Sequence, residues 1–462
     1  MTTPIDTANT FIKRLALFSI GPIGSGIISA VSIPILTWLV NPEELGRAAM
    51  YTTAQNLISI ALFLGLDQAY IREYHEQPIK STLLSHAFLP PFISSLVCCG
   101  IMLYLWEPLS NVIYGENSIY AICVLAVSIV FMVINRYSLL IMRMEESAKK
   151  YSYFQISQKV FYVIMLFPLV LFVEKSYKMV ITANAISLVL ISFPQYYFTR
   201  NNWKFSYPFD WKLLKKLLKF GLPLIGASIL AWILNSIDKV ALRKWSSFYE
   251  LGLYANAFQF AAALLIVQQA FATFWAPTSY RWYVQKVDKS KFSLVSETVS
   301  FVMTMLFLII AAFRNILKIF IEPSYYPSID LMPFLMLFPV MYTISETTVM
   351  GINFTRKTVY SLIVTALAAA ISVACNYFFV PIYGAIGAAI SIGFSFIVYF
   401  WLRTIFSNRL WKAISIKKHI INSILLVFGC LVMFIKWQYT GYAILMVFAL
   451  VLNRSTIIKL IK

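Results

Sequence analysis

Residues Ile119 to Leu140 read IYAICVLAVSIVFMVINRYSLL, and Arg136 is their one charged side chain. An α-helix of this length rises about 33 Å, which matches the roughly 30 Å thickness of the hydrocarbon core of a bilayer. The apolar residues fall on odd and even positions alike, whereas a strand of a membrane barrel alternates. The stretch therefore predicts a transmembrane helix.

Apolar runs of this kind recur along the whole chain. Of the 462 residues, 60% are hydrophobic and 12% are charged, whereas about 25% are charged in a typical soluble domain. We predict an all-α, polytopic membrane protein with fourteen spans, the last two short: Leu15 to Val40, Ala48 to Ala69, Leu83 to Trp106, Ile119 to Leu140, Tyr153 to Val173, Met179 to Phe198, Phe220 to Leu242, Leu253 to Phe274, Leu294 to Phe313, Ile329 to Ile352, Val359 to Val380, Ile382 to Ile405, Ile420 to Ile435 and Tyr442 to Leu452.

Lysine and arginine residues predict the orientation of these spans. With the N-terminus in the cytoplasm, 28 of the 38 Lys and Arg residues fall in cytoplasmic segments and nine in outer ones, as the positive-inside rule requires. We therefore expect both termini on the cytoplasmic side of the membrane. The net charge of +19 follows from this bias and suits anionic membrane lipids, so nucleic acid is not an expected partner.

The chain divides near its middle. The basic stretch Arg200 to Lys219 separates the first six runs from the next six, and Glu44-Leu45-Gly46 before the second run returns as Glu250-Leu251-Gly252 before the eighth. This repeat indicates a duplication with both halves entering the membrane from the same side. We predict three regions: an N-terminal lobe over 1–205, a C-terminal lobe over 206–410, and two additional helices over 411–462.

Several short motifs resemble those of one known family. They are Gly21-Pro22 with Gly24 to Gly26, Asn41 to Gly46, Gly65-Leu66-Asp67 through Tyr74, Phe220-Gly221-Leu222-Pro223 at the expected start of the seventh helix, and Tyr383 to Ala389. In order and spacing, the chain resembles the polysaccharide transport family. These are the O-antigen and lipid-linked oligosaccharide flippases of the multidrug/oligosaccharidyl-lipid/polysaccharide (MOP) exporter superfamily.

The resemblance implies a two-lobed, twelve-helix V around a central cavity. It also implies a flippase of a bacterial cytoplasmic (inner) membrane. Such a flippase moves undecaprenyl-pyrophosphate-linked oligosaccharide from the cytoplasmic to the periplasmic leaflet by alternating access, in contact with membrane lipids and other polysaccharide assembly proteins. The two extra C-terminal helices also occur in the lipid II flippase branch, which leaves the subfamily open. A drug/cation antiporter of the same superfamily is a second alternative, and a membrane glycan polymerase or ligase is a third.

A pyrophosphate that crosses a membrane needs cations, because an unpaired charge costs several kcal/mol there. We expect Arg136, Lys159 and at least one of Arg281 and Arg356 to converge on an inward-open cavity. Asn235 and Asp238 share one face of the seventh helix and are further candidates for substrate binding. The alternative interpretation is structural: the basic side chains extend to the membrane surface, and Asp238 belongs to an interfacial cluster with Lys239.

Three acids are candidates for coupling transport to H⁺ or Na⁺, namely Glu346, Asp67 and Glu297. Glu346 is a lone acid well inside the tenth run, and Asp67 and Glu297 lie nearer the cytoplasmic ends of theirs. Intramembrane carboxylates commonly serve ion coupling. The alternative is a structural ion pair with an arginine on a neighbouring helix, and for Asp67 Arg72 is a local partner.

Neither a cofactor nor an enzymatic activity is expected. The chain has no Gly-x-x-x-x-Gly-Lys-Ser/Thr loop for nucleotides, and its three histidines lack metal-binding spacing. The outer connections are short and poor in candidate acids and bases, which disfavours a polymerase or ligase.

Overall fold

The computed structural model describes residues 8–203 and 209–461, with side chains for 19–203 and 209–459. These residues form eighteen α-helices and no β-strand, which confirms the predicted all-α class. The helices are α1 (Ala8–Leu39), α2 (Pro42–Phe63), α3 (Leu66–Glu73), α4 (Lys80–Tyr104), α5 (Trp106–Tyr114), α6 (Ile119–Met144), α7 (Ala148–Phe172), α8 (Tyr177–Thr199), α9 (Trp211–Trp245), α10 (Phe248–Ala262), α11 (Leu264–Val284), α12 (Lys289–Phe313), α13 (Tyr326–Thr348), α14 (Met350–Phe354), α15 (Val359–Leu410), α16 (Ile416–Leu431), α17 (Gln438–Leu452) and α18 (Arg454–Ile461).

The described helices account for the predicted spans. Eleven are long and apolar enough to cross a membrane, or twelve if the bent pair α2 and α3 forms one span. The 52-residue α15 counts once but covers two predicted runs, which meet near the non-helical Gly384 (φ 54°, ψ −129°). The last predicted run corresponds to α17, whose 15 residues fall short of the roughly 20 that a straight span needs.

The chain divides into two compact units. The first ends at Trp232 and the second begins at Ile233, except that the short segment Ile33–Trp38 belongs to the second. In the first unit α6 packs against α4 and α8, and in the second α13 packs against α10, α12 and α15. The predicted lobe boundary between residues 205 and 206 lies outside the described residues and remains a prediction.

The start predicted for the seventh helix is wrong. Helix α9 begins at Trp211 rather than at Gly221, and it continues through Pro223. The preceding basic segment is itself helical because Leu213 and Leu217 are buried in the core of the first unit. Packing of this apolar face extends the helix backwards, although Pro223 lacks the N–H group of a regular helical residue.

The Glu-Leu-Gly repeat has a structural role in the first unit. Asn41 caps α2 by accepting a hydrogen bond from the Glu44 N–H at 3.0 Å, with Pro42 at the first helical position. The Glu44 side chain then accepts a hydrogen bond from the Tyr177 N–H at 2.7 Å. One acidic residue thus satisfies a free N–H group at the start of α8.

The second unit contains the equivalent pair of hydrogen bonds. Ser247 caps α10 by accepting a hydrogen bond from the Glu250 N–H at 3.2 Å. The Glu250 side chain accepts a hydrogen bond from the Ala385 N–H at 2.8 Å, immediately after Gly384. In each copy the glutamate N–H is bound by the residue that caps its own helix, and the glutamate side chain caps a later helical segment, which supports the predicted duplication.

The additional C-terminal helices are attached through buried polar side chains. His419 on α16 lies 3.0 Å from the Ser296 hydroxyl of α12. Asn422 donates to the Ser300 hydroxyl at 2.9 Å and accepts from Asn453, after α17, at 3.0 Å. Because lipid supplies no hydrogen bonds, such contacts fix helices to one another within a membrane.

Candidate functional site

The bend between α2 and α3 begins the candidate site in the first unit. The two helices meet at 54°, where Leu64 and Gly65 have positive φ values of 51° and 67°. Gly65 packs directly on Gly221 of α9, since a Cβ added at Gly65 would lie 2.3 Å from the Gly221 carbonyl oxygen. Two of the motifs quoted above are therefore in backbone contact.

This bend positions Asp67 beside Arg136. The guanidinium of Arg136 donates to Asp67 Oδ2 from Nη2 at 2.7 Å and from Nε at 3.2 Å. Gln68 donates to the same oxygen at 3.0 Å. Asp67 is buried, whereas 43% of the Arg136 side chain is exposed. One edge of the guanidinium is thus held, and Nη1 has no hydrogen-bond partner in the described part of the chain.

Asp67 and Arg136 line a cleft of about 410 Å³ within the first unit. The apolar part of its wall comes from α2, α6 and α9, including Phe63, Met132 and Leu224. Ser59, Asn135 and Ser228 add polar groups. An arginine in such a cleft can bind an anion with its free edge while the carboxylate fixes its orientation.

The ion pair predicted between Asp67 and Arg72 is wrong. The two residues are five apart on α3, which places them about 140° apart around the helix axis. The Arg72 guanidinium instead lies 4.6 Å from the centre of the Phe220 ring. The carboxylate of Asp67 faces α6, and the guanidinium of Arg72 faces Phe220 of α9.

Lys159 lies on α7 and is partly buried. The described residues provide no hydrogen bond or ion pair for its ammonium group. It is not among the residues that line the cleft around Arg136. The structure thus gives Lys159 an unpaired charge without placing it beside Arg136.

In the second unit, Glu346 is not a lone acid. Arg403 of α15 donates from Nη1 to Glu346 Oε1 at 3.0 Å and to the Ser345 hydroxyl at 2.7 Å. The guanidinium also lies 5.5 Å from the centre of the Tyr399 ring. This pair is the structural alternative stated above, an arginine on a neighbouring helix. The particular arginine was not predicted because the partners are far apart in the chain and Arg403 lies near the end of an apolar run.

Glu297 is held by hydroxyl groups. Its Oε2 accepts a hydrogen bond from Thr456 of α18 at 3.0 Å, and its Oε1 accepts one from Ser293 at 3.3 Å. The carboxylate thus connects the C-terminal helix to α12. Its predicted role in ion coupling remains a prediction.

Asp238 is the most deeply buried of the candidate acids, with 1% of its surface exposed. Neither of its carboxylate oxygens accepts a hydrogen bond from the described residues. The Lys239 ammonium lies 3.9 Å from Oδ2 and 4.4 Å from the centre of the Phe258 ring. Asn235, one turn earlier, contacts Lys239 through its carbonyl oxygen at 3.4 Å.

Arg281 and Arg356 are exposed and lie on neighbouring segments of the second unit. Arg281 is in the last turn of α11, and Arg356 follows α14 with a positive φ of 56°. The two segments are joined by Tyr283 and Phe354, whose rings stack at 4.2 Å. Both arginines therefore lie at the same end of this unit with exposed side chains.

The fold defines a multi-pass helical membrane protein with the architecture of MOP-superfamily transporters. The lipid II flippase MurJ, in an inward closed conformation, superposes with a TM-score of 0.73 over 96% of this chain and 100% of that chain, at 14% identity. An inward-facing multidrug resistance MATE family transporter of the MOP superfamily gives a TM-score of 0.60 over 86% of this chain and 97% of that chain, at 16% identity.

The sequence itself identifies the family. A family model described as "polysaccharide biosynthesis protein" matches residues 35–281, which is more than half of the chain. The chain therefore belongs to the polysaccharide biosynthesis protein family, and the resemblance found in its motifs is confirmed. No curated protein sequence matches it.

Proposed function

We propose that this protein is a flippase for an undecaprenyl-pyrophosphate-linked oligosaccharide, the repeat unit of an O-antigen or related polysaccharide. It moves the saccharide from the cytoplasmic to the periplasmic leaflet of the inner membrane by alternating access and catalyses no covalent reaction. Membership of a polysaccharide biosynthesis family supports this proposal, as does a fold shared with a lipid II flippase. The greasy tail can stay in the bilayer, so the protein has to accommodate the pyrophosphate and the sugars.

The observation that carries the proposal is the half-paired guanidinium of Arg136. Asp67 holds one edge of it, Nη1 on the other edge has no hydrogen-bond partner among the described residues, and Arg136 lines the cleft. A planar guanidinium matches the oxygens of a phosphate. The neighbouring carboxylate reduces the net positive charge, which keeps binding weak enough for release.

Charge-swap variants test this role. We expect Arg136→Ala to reduce flipping roughly 10- to 100-fold, the equivalent of about 1.5–3 kcal/mol for a hydrogen bond to a charged group. The double variant Arg136→Asp with Asp67→Arg restores an ion pair but moves the cation into the buried position. It should recover protein abundance without recovering transport.

Arg143→Ala is the matched control, because Arg143 is an exposed arginine two turns further along α6 that does not line the cleft. It should support normal display of glycan at the cell surface. Full transport by the swapped pair would assign Arg136 a structural role and remove it from substrate binding.

The orientation belongs to the same proposal, with both termini in the cytoplasm. Cysteine introduced at Lys175 should react with an impermeant thiol reagent from outside intact cells, and cysteine at Lys215 should not. Labelling in the opposite sense would invert the proposed direction of transport.

A drug/cation antiporter is the second candidate, and Asp238 is the observation that favours it. A buried carboxylate without hydrogen bonds is costly, and its one nearby cation in the described residues, the Lys239 ammonium, lies 3.9 Å away, beyond hydrogen-bond distance. The three acids predicted for coupling, Asp67, Glu297 and Glu346, each have hydrogen-bond partners. We therefore propose Asp238 as a coupling residue in either function, with the transported substrate deciding between the two.

A further inference from the structure

A basic cavity of about 490 Å³ lies in the second unit beside Glu297. It is formed by the start of α12, the connection between α15 and α16, and the last turn of α18. Lys289, Lys412 and Lys459 line it, one from each of these segments. The transport role proposed above does not use this cavity.

Two of the three ammonium groups are available to a ligand. Lys289 donates to the Lys412 carbonyl oxygen at 3.3 Å and lies 5.3 Å from the centre of the Trp411 ring. Lys412 and Lys459 have no side-chain hydrogen bond or ion pair within the described residues. Three positive charges that would repel one another are thus gathered around one concave space.

The start of α16 adds to the positive character of the cavity. Ser290 and Ser293 also line it, but their hydroxyls already donate to Asp288 at 2.6 Å and to Glu297 at 3.3 Å. Helix α16 begins immediately after Ser415, whose side chain makes no capping hydrogen bond. The Ser415 N–H donates to Ser293 Oγ at 3.1 Å, whereas the N–H groups that follow it in α16 have no side-chain cap, and a helix N-terminus attracts negative charge.

One carboxylate, that of Glu297, also lines the cavity. Both of its oxygens accept hydrogen bonds from hydroxyl groups, on Thr456 and Ser293. Asp288 is exposed nearby and caps α12 through Ser290. The lining still carries three cations against one anion, so its charge favours a phosphate.

We propose that this cavity binds the phosphate headgroup of an anionic glycerophospholipid of the cytoplasmic leaflet. The proposal rests on the orientation given under the proposed function, which puts these segments at the cytoplasmic surface. Basic pockets between transmembrane helices at that surface bind anionic lipid headgroups. Trp411 beside the cavity is consistent with a position at the membrane–water interface, where tryptophan is enriched.

Native mass spectrometry of the full chain in neutral detergent tests the proposal. Phosphatidylglycerol should bind more tightly than phosphatidylcholine with the same acyl chains. The double variant Lys412→Gln, Lys459→Gln should weaken phosphatidylglycerol binding about 25-fold, from about 1 kcal/mol for each lysine. Phosphatidylcholine binding should not change.

The matched control is Lys291→Gln with Lys417→Gln, which removes the same charge from nearby exposed positions outside the cavity. Equal weakening by both double variants would overturn the proposal, as would equal binding of the two lipids. If inorganic phosphate stabilises the protein against heat as well as phosphatidylglycerol does, the ligand is a free anion and the lipid assignment is wrong. Lipid binding that persists in a protein without flippase activity would refute only the proposed function.

Discussion

Gly65 and Gly221 set the distance between the α2–α3 bend and helix α9. A Cβ at Gly221 would lie 2.6 Å from the Leu64 carbonyl oxygen, closer than atoms can pack. Gly65 additionally needs its positive φ of 67°, a conformation that costs other residues about 1 kcal/mol or more. Because Asp67 follows directly, this contact also positions the carboxylate that holds Arg136.

Gly221→Ala should therefore lower stability by about 1–3 kcal/mol, the usual cost of overpacking. Thermal unfolding of the purified protein measures this loss. Gly226→Ala is the control on the same helix, because a Cβ there meets no atom within 4 Å. Alanine is the better helix former by up to about 1 kcal/mol, so this control should be neutral or stabilising. Equal stability of both variants would show that the backbones are not in contact.

At the scale of elements, the two acidic residues of the Glu-Leu-Gly repeat each join a pair of helices. Glu44 joins the start of α2 to the start of α8, and Glu250 joins the start of α10 to the second half of α15. A helix start inside a membrane protein needs such partners, since its first N–H groups have none within the helix. Duplication explains why this capping contact of a glutamate side chain occurs once in each unit.

Glu250→Ala should leave the Ala385 N–H without a partner and cost about 1–3 kcal/mol. Hydrogen exchange should consequently accelerate at the first amides after Gly384, and Glu44→Ala should have the same effect around Tyr177. Glu174→Ala is the control, because its exposed side chain makes no hydrogen bond among the described residues. Unchanged exchange at Ala385 would mean that the carboxylate does not cap this helix.

For the whole molecule, sequence patterns predicted the helices well but did not identify which side chains form ion pairs between them. Hydropathy located the candidate spans of the described residues because an apolar run must match the thickness of the bilayer. Ion pairs with arginines of neighbouring helices were considered for the buried acids, but Arg136 and Arg403 were not identified as the partners of Asp67 and Glu346 because they come from helices far along the chain. Such pairs depend on which faces meet after packing, and a single sequence contains no direct signal for that.

Reconstitution tests the central claim, that the protein flips a lipid-linked saccharide. Purified protein in liposomes, with an ion gradient imposed, should make a pyrophosphate-linked oligosaccharide accessible to an impermeant sugar oxidant on the opposite side. Arg136→Ala should slow this at least about tenfold, and Asp238→Asn should abolish its dependence on the gradient. Accessibility no greater than in protein-free liposomes, together with gradient-driven uptake of an organic cation, would contradict the claim and establish the antiporter instead.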